Sequence, residues 1–211
     1  MKEIIFVLLI GYGFGLLQWS YFISKGIKKV DIRTLGQGNA GASNTVESFG
    51  IKYGVLVAVL DILKAYFSII LVKRIFNIEF VDNDAFLLYL NAFGVIIGHN
   101  FPFFMGFKGG KGTAALIGAL FGFDLTLGII GLFLIIGVSI LSNYVILGTL
   151  FLTMFTIAIP IYYNLGLSSI VIAIIIAMLS FSLHIKNYKR IITGSESKVR
   201  TVLFKNKKAN L

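Results

Sequence analysis

Apolar runs long enough to cross a bilayer recur along this chain, separated by short polar segments. Ile4 to Ile23 is the first, Tyr53 to Val72 the second and Phe86 to Ile97 a shorter third. A polar stretch follows from 98 to 112. Thr113 to Phe123 makes a fourth run, and Leu125–Leu141, Tyr144–Tyr162 and Leu167–Leu183 complete the series. A spanning helix needs about 20 apolar residues at about 1.5 Å each. Thr113 to Phe123 is too short to span alone, so it must borrow a turn from the glycines before it or sit in a protein-lined recess. The pattern predicts an all-α, polytopic integral membrane protein with about seven transmembrane helices. Residues 1–211 form a single membrane-embedded domain in this reading, with a basic tail from about 186. A five-span version would demote 86–97 and 113–123 and leave both chain ends in place.

Composition supports a membrane rather than a soluble core. The chain is 57% hydrophobic and 13% charged, against about 45–50% and about 25% for soluble domains; mean hydropathy is +0.92. Ile4 to Ile23 is a retained span rather than a leader, since no A-x-A-like site follows and Lys25, Lys28 and Lys29 come after it. Gly11, Gly13 and Gly15 are expected to serve close helix packing. The net charge of +10 fits lysines and arginines held on the cytoplasmic side near anionic lipid, so no nucleic-acid partner is implied. With the N-terminus outside and the C-terminus cytoplasmic, the inside segments hold Lys25, Lys28, Lys29, Arg33, Lys52, Lys108, Lys111 and eight more in the tail. That is 15 of the 19 basic residues. Five of the nine acids fall outside. There is no cysteine, hence no disulfide, thiolate metal site or cysteine nucleophile.

This orientation gathers three unusual polar segments on one face. Asp31 to Gly50 mixes Gly36, Gly38 and Gly41 with Asn39, Ser43 and Asn44, a composition suited to a backbone nest for an anion or to an ordinary turn. Gly98 to Thr113 carries His99, Asn100 and the cluster Gly109-Gly110-Lys111-Gly112, directly before an expected helix start near Thr113. Free amides at a helix start, with a lysine beside them, make a phosphate site. His184, Asn187 and Arg190 share one helical face at the end of the last span. Inside the second span, Asp61 and Lys64 stand three apart, as a functional pair or a mutual ion pair.

Several chemistries are not supported. The G-x-x-x-x-G-K-[ST] pattern, the G-x-S-x-G elbow and an H-x-x-x-x-D motif are all missing. Neither His99 nor His184 has a carboxylate at metal-ligand spacing, so no metal is expected. No organic cofactor is signalled either.

The motifs D-I-R-x-x-G-x-G-N-x-G-A-S-N, D-I-L-K, G-H-N-F-P-x-F-x-x-F-K-G-G-K-G and H-x-x-N-x-x-R-x-x-x-G-S-E-S-K, in this order, resemble the PlsY type of bacterial acyl-phosphate–glycerol-3-phosphate acyltransferases. The resemblance implies seven spans with the motif loops cytoplasmic, in the bacterial plasma membrane. It implies transfer of a fatty acyl chain from a bilayer-embedded acyl-phosphate to the sn-1 hydroxyl of glycerol 3-phosphate, giving lysophosphatidic acid and phosphate. The mixed anhydride is already activated, so no enzyme nucleophile is required. On this resemblance Gly38, Asn39, Ala42, Ser43, Asn44, Gly109, Gly110 and Gly112 would hold the donor phosphate. Lys111, His184 and Asn187 would be catalytic and meet the acceptor, with Arg190 and Glu196 also binding substrate. Substrates and membrane lipid are the only partners implied; no obligate protein partner is. The chain departs from the family pattern at Gln37, where serine is usual, at Glu47, where arginine is usual, and at Ile146, where a serine is usual. These departures keep two other readings open: the same donor with another acceptor, and a non-enzymatic transporter or scaffold.

Overall fold

The computed structural model describes residues 2–201. Among these residues the regular structure is helical: α1 (Lys2–Gly15), α2 (Trp19–Lys28), α3 (Ala42–Phe49), α4 (Ile51–Phe76), α5 (Ala85–Asn100), α6 (Thr113–Phe123), α7 (Leu125–Ser142), α8 (Val145–Tyr162) and α9 (Gly166–Ile192). Single 3-10 turns lie at Ile32–Thr34, Asp82–Asp84 and Phe103–Met105. Six helical stretches are long and apolar enough to cross a membrane, with Lys2–Lys28 counted as one. Many of their large apolar side chains face outward, as lipid contact requires.

Three expected boundaries move. The first span is not continuous: α1 stops at Gly15 and α2 begins at Trp19. The segment from 24 to 52 is more than a loop, since it contains the end of α2 and all of α3. Likewise α9 runs on to Ile192, so the basic segment from about 186 begins as helix; residues 202–211 lie outside the described residues.

The break in α1 leaves carbonyls in a buried place, where each must find a donor. Gln18, fully buried, donates through Nε2 to the carbonyls of Gly15 (3.0 Å), Gly98 (3.3 Å) and His99 (3.0 Å). Lys64 reaches over from α4 and donates to Leu17 O (2.7 Å) and Gly15 O (3.3 Å). The same ammonium pairs with Asp61 Oδ1 at 2.8 Å and lies 2.8 Å from His99 Nδ1. Asp61 and Lys64 are therefore a mutual ion pair, and His99 completes it.

Helices pack closest where glycine removes the side chain. A Cβ on Gly11 or Gly15 of α1 would overlap the backbone of α5, and one on Gly94 or Gly98 of α5 would overlap α1. Gly13, expected to share this role, faces open space instead. The eleven-residue α6 is buried on most of its surface against α4, α5 and α7. It sits in a protein-lined recess, with Gly118 against the Ile62 carbonyl of α4. Its last carbonyl region, at Phe123, accepts from Lys73 Nζ (2.9 Å) near the C-terminal end of α4, so α6 traverses the bundle from the glycine cluster to the opposite end.

Removing one partner of a buried ion pair costs about 3–5 kcal/mol. Lys64→Met should thus lower thermal stability in detergent steeply. Asp61→Leu combined with Lys64→Met should recover the part due to the stranded carboxylate, leaving about 1–3 kcal/mol from the Gly15 and Leu17 carbonyls. Equal melting temperatures for the single and double variants would contradict the pairing.

Candidate active site

Four segments meet at one end of the bundle. The first is the loop from 31 to 41. Asp31 caps the Ile32–Thr34 turn and grips Arg33, with Arg33 Nη2 2.7 Å from Asp31 Oδ2. The Arg33 guanidinium beside it holds the Asp31 carboxyl below the usual carboxylate range. Arg33 also donates to the carbonyls of Met105 and Lys108, which ties this loop to the segment before the glycine cluster. Ala40 N–H donates to Gly109 O (3.1 Å), a second tie.

Asn44 sets the loop's shape. Its Nδ2 donates to Ile32 O, Leu35 O and Asn39 O, and its Oδ1 accepts from Gln37 N at 2.7 Å. Asn44, expected among the phosphate ligands, spends its side-chain amide inside the loop and keeps only its backbone N–H, in the first turn of α3, to offer an anion. Ala42 and Ser43 begin α3, with Gly41 as its N-cap, and Ser43 is exposed. Gly38 has φ +78 and, like Asn39, lies on the loop between the Ile32–Thr34 turn and α3.

The second segment is the glycine cluster. His99 and Asn100, which the sequence pattern assigns to the polar stretch, form the last turn of α5. Their carbonyls receive Gly110 N–H and Gly109 N–H at 3.0 Å each, so the loop folds back on the end of α5. The ammonium of Lys64 can only donate, so His99 Nδ1 accepts and the ring proton sits on Nε2. That edge of the ring faces Gly110, where a Cβ would overlap it and the Ala40 carbonyl as well. Gly112, at φ +83, then turns the chain into α6 with no side chain capping the helix start. The sequence signal for His99 was present in the G-H-N motif, but its partners in α4 are 35 residues away in sequence.

The third and fourth segments are the α7–α8 turn and the end of α9. Lys111 Nζ donates to Asn187 Oδ1. Asn187 Nδ2 donates in turn to Glu196 Oε1 (2.8 Å) and Gln37 Oε1 (3.2 Å). Arg190 donates to Glu196 Oε2 (2.7 Å) and to Gln37 Oε1 (3.0 Å). Glu196 thus touches the two side chains that flank it and orients both. Gln37, one of the departures from the family pattern, bridges the first loop to α9. Its Nε2 also donates to Glu47 Oε2 at 3.3 Å on the exposed rim. Val199 N–H and Arg200 N–H bond to Asn143 O (3.0 Å) and Oδ1 (2.9 Å), so the chain after α9 lies across the α7–α8 turn.

His184 is buried one turn before Asn187, and its Nδ1 lies 2.8 Å from Ser180 O. A carbonyl only accepts, so Nδ1 carries the proton and Nε2 keeps a lone pair. Burial, and then the nearby charge of Arg190, push Lys111 down to about 8. Beneath Lys111 and Gly112 a slot is lined by Ile96, Leu116, Ile176 and Ser180. The arrangement places an ammonium, a guanidinium, an imidazole lone pair and free helix-start amides around one small region at the mouth of an apolar slot. Among the described residues no three His, Cys, Asp or Glu side chains gather to hold a metal.

A cationic, amide-rich site at one end of an apolar helical bundle is suited to a phosphorylated group and marks a class of membrane protein. Comparison with known proteins narrows the class: the profile of the family described as glycerol-3-phosphate acyltransferase matches residues 5–194, and the chain belongs to that family. It is 40% identical to glycerol-3-phosphate acyltransferase 1 of Oceanobacillus iheyensis over 93% of this chain and 95% of that one. It is 31% identical to glycerol-3-phosphate acyltransferase of Aquifex aeolicus over 91% and 97%. Its fold superimposes on the crystal structure of PlsY, an integral membrane glycerol 3-phosphate acyltransferase, in its glycerol 3-phosphate form. That match has a TM-score of 0.84 and 30% identity, covering 95% of this chain and 98% of that one. The lysophosphatidic acid form gives 0.80 and 28%, with the same coverage.

The Gly110 contact generates a test. Two rigid neighbours leave no room for a methyl group, and overpacking of this kind costs about 1–3 kcal/mol. Gly110→Ala should displace the loop from His99 and reduce turnover at least tenfold, while Gly106→Ala, which meets nothing within 4 Å, should cost far less. Similar losses in both would remove the His99 contact from the site.

Proposed function

We propose that this protein transfers a fatty acyl chain from acyl-phosphate to the sn-1 hydroxyl of glycerol 3-phosphate, releasing lysophosphatidic acid and inorganic phosphate. The observation that carries the reading is the meeting of Lys111, Asn187 and Arg190 with the uncapped amides at the start of α6, at the mouth of a small slot. In this reading the acyl chain stays in the bilayer and only its phosphate end enters the site. The donor phosphate sits on the amides of Gly112 and the first turn of α6 and beside the loop at Gly38, Asn39, Ala42 and Ser43; the Gly109 and Gly110 amides, expected to hold it, are already bonded to the carbonyls of Asn100 and His99 and shape the loop instead. Lys111 and Arg190 neutralise the phosphate groups, and Asn187 and Glu196 hold those cations in place. The acceptor hydroxyl hydrogen-bonds to His184 Nε2 and attacks the acyl carbonyl carbon. The new ester C–O bond forms, the anhydride C–O bond breaks, and phosphate leaves with the bonding pair. The hydroxyl proton ends on the departing phosphate. No protein nucleophile and no metal is needed, because the anhydride is already activated.

The same reading takes the whole chain as one membrane-embedded domain with seven crossings, α6 being the short one. α6 runs between the two ends of the bundle, which supports the count. The site end carries Lys25, Lys28, Lys29, Lys108 and Lys111, and the other end carries Asp82 and Asp84, which supports an external N-terminus and a cytoplasmic site in the bacterial plasma membrane. The chain has no cysteine, so single cysteines can test this directly. Lys28→Cys should react with an impermeant maleimide only in inverted vesicles and Asp84→Cys only in intact cells. The reverse labelling would invert the topology.

Purified protein given palmitoyl-phosphate and glycerol 3-phosphate should release phosphate and form lysophosphatidic acid, whereas a transporter or scaffold would release none. Lys111→Ala should abolish turnover without lowering thermal stability. Because Lys111 titrates near 8 and the anion needs its positive form, kcat/KM for glycerol 3-phosphate should fall as pH rises through about 8. The fall should approach tenfold per pH unit where the charged form is essential. Lys111→Arg should remove that limb of the profile, since arginine stays protonated. A profile unchanged by Lys111→Arg would take the pH-sensing cation away from Lys111.

A further inference from the structure

Asn100 presents an anomaly at the centre of this site. It is buried, 3% exposed, yet neither Nδ2 nor Oδ1 has a hydrogen-bond partner among the described residues. A buried amide without partners is costly, and native proteins keep few of them. Its backbone carbonyl is used, accepting Gly109 N–H, so only the side chain is idle. That side chain lies directly over Gly112. A Cβ there would come 3.1 Å from Asn100 Oδ1 and 3.7 Å from Nδ2. Gly112 is the N-cap of α6, and no side chain caps the free amides of the first turn. The uncapped amides and the unpaired side-chain amide therefore face one another across a residue with no side chain.

We infer that Asn100 is a ligand of the donor phosphate, with its Nδ2 donating to the anion held at the start of α6. This rests on the acyl-phosphate reading above. The bound oxygen supplies the acceptor that Nδ2 lacks, so part of the cost of burying the amide is recovered when the donor binds. Lys111, next to Gly112, supplies the charge, and Asn100 supplies direction. A neutral amide suits this place better than another cation: it can hold the phosphate in the acyl-phosphate and in the leaving group alike without trapping the product.

Asn100→Leu, with the same number and branching of side-chain heavy atoms but no polar group, tests the assignment because a structural and a ligand role predict opposite signs. Removing an unpaired amide should leave the melting temperature unchanged or raise it by a few degrees. The same change should raise KM for palmitoyl-phosphate or lower kcat/KM for it at least thirtyfold, with KM for glycerol 3-phosphate shifted less than threefold. Asn100→Asp should be worse still, because a carboxylate would face the phosphate. A lower melting temperature with a matching loss of activity in Asn100→Leu would make Asn100 a packing residue and overturn the inference, as would retained turnover within threefold. If the unaltered protein releases no phosphate from palmitoyl-phosphate, the acyl-phosphate reading itself fails. In that case, retained stability in Asn100→Leu together with loss of inorganic phosphate binding would still place Asn100 at an anion. Unchanged binding would remove it.

Discussion

One ammonium group holds the architecture to the chemistry. Lys64 sits inside the bundle, where an unpaired charge would be prohibitive, and every donor it has is used. Asp61 neutralises it. The carbonyls of Leu17 and Gly15, freed by the break in α1, take two of its hydrogen bonds, and His99 Nδ1 takes another. The break in the first helix is thus stabilised by the same group that fixes the imidazole. The imidazole in turn stands against Gly110, so the position of the glycine-rich loop is set from the interior of the bundle outward.

The surface half of the site is built on a different principle. Its charged groups are only half-buried, and each is held by a neutral amide rather than by a tight ion pair alone. Asn187 links Lys111 to Glu196, and Gln37 accepts from both Asn187 and Arg190. Such a network keeps the cations apart and aimed while leaving their charge available. It also joins segments 150 residues apart, which explains how the first loop and the last helix act as one surface. A fully buried, fully paired site would be more rigid but could not exchange a charged ligand with water. The deep cluster around Lys64 and the shallow one around Lys111 divide these two demands between them.

Much of this was legible in the chain, and the failures have physical causes. The spans were readable because a bilayer demands a fixed length of apolar sequence, and α6 betrayed its recess by being too short for that length. The break at residues 16–18 was not readable. Leu16 and Leu17 are as apolar as a continuous helix would be, and only the burial of Gln18 between helices reveals the turn. The spacing of Asp61 and Lys64 announced a pair but not its third member, since His99 joins it through tertiary packing. Asn39 and Asn44 looked alike in a glycine-rich segment, yet one lies on the loop and the other organises it from inside. Asn100 was visible as part of a motif, but its significance lies in bonds it does not make. Gly13 shows the reverse error: three alternate glycines on one helix cannot all face the same neighbour, because a period of two does not fit a helical surface.

The charge reversal at Glu47 looks damaging in a sequence comparison and much less so in space. Two like charges repel by about 1 kcal/mol at 4 Å in water, and more in a drier site. Glu47 is exposed, however, and its carboxylate meets Gln37 Nε2 rather than any of the site's cations. Gln37 turns its other end, Oε1, toward Arg190 and Asn187. A neutral amide therefore stands between the rim carboxylate and the anion site, with solvent screening the remainder. The two departures from the family pattern are coupled: Gln37 is long enough to insulate what Glu47 introduces, and a serine there would be too short to bridge the gap. Arg190 and Lys111 outweigh Glu196 in what remains, so this end of the bundle keeps a net positive charge.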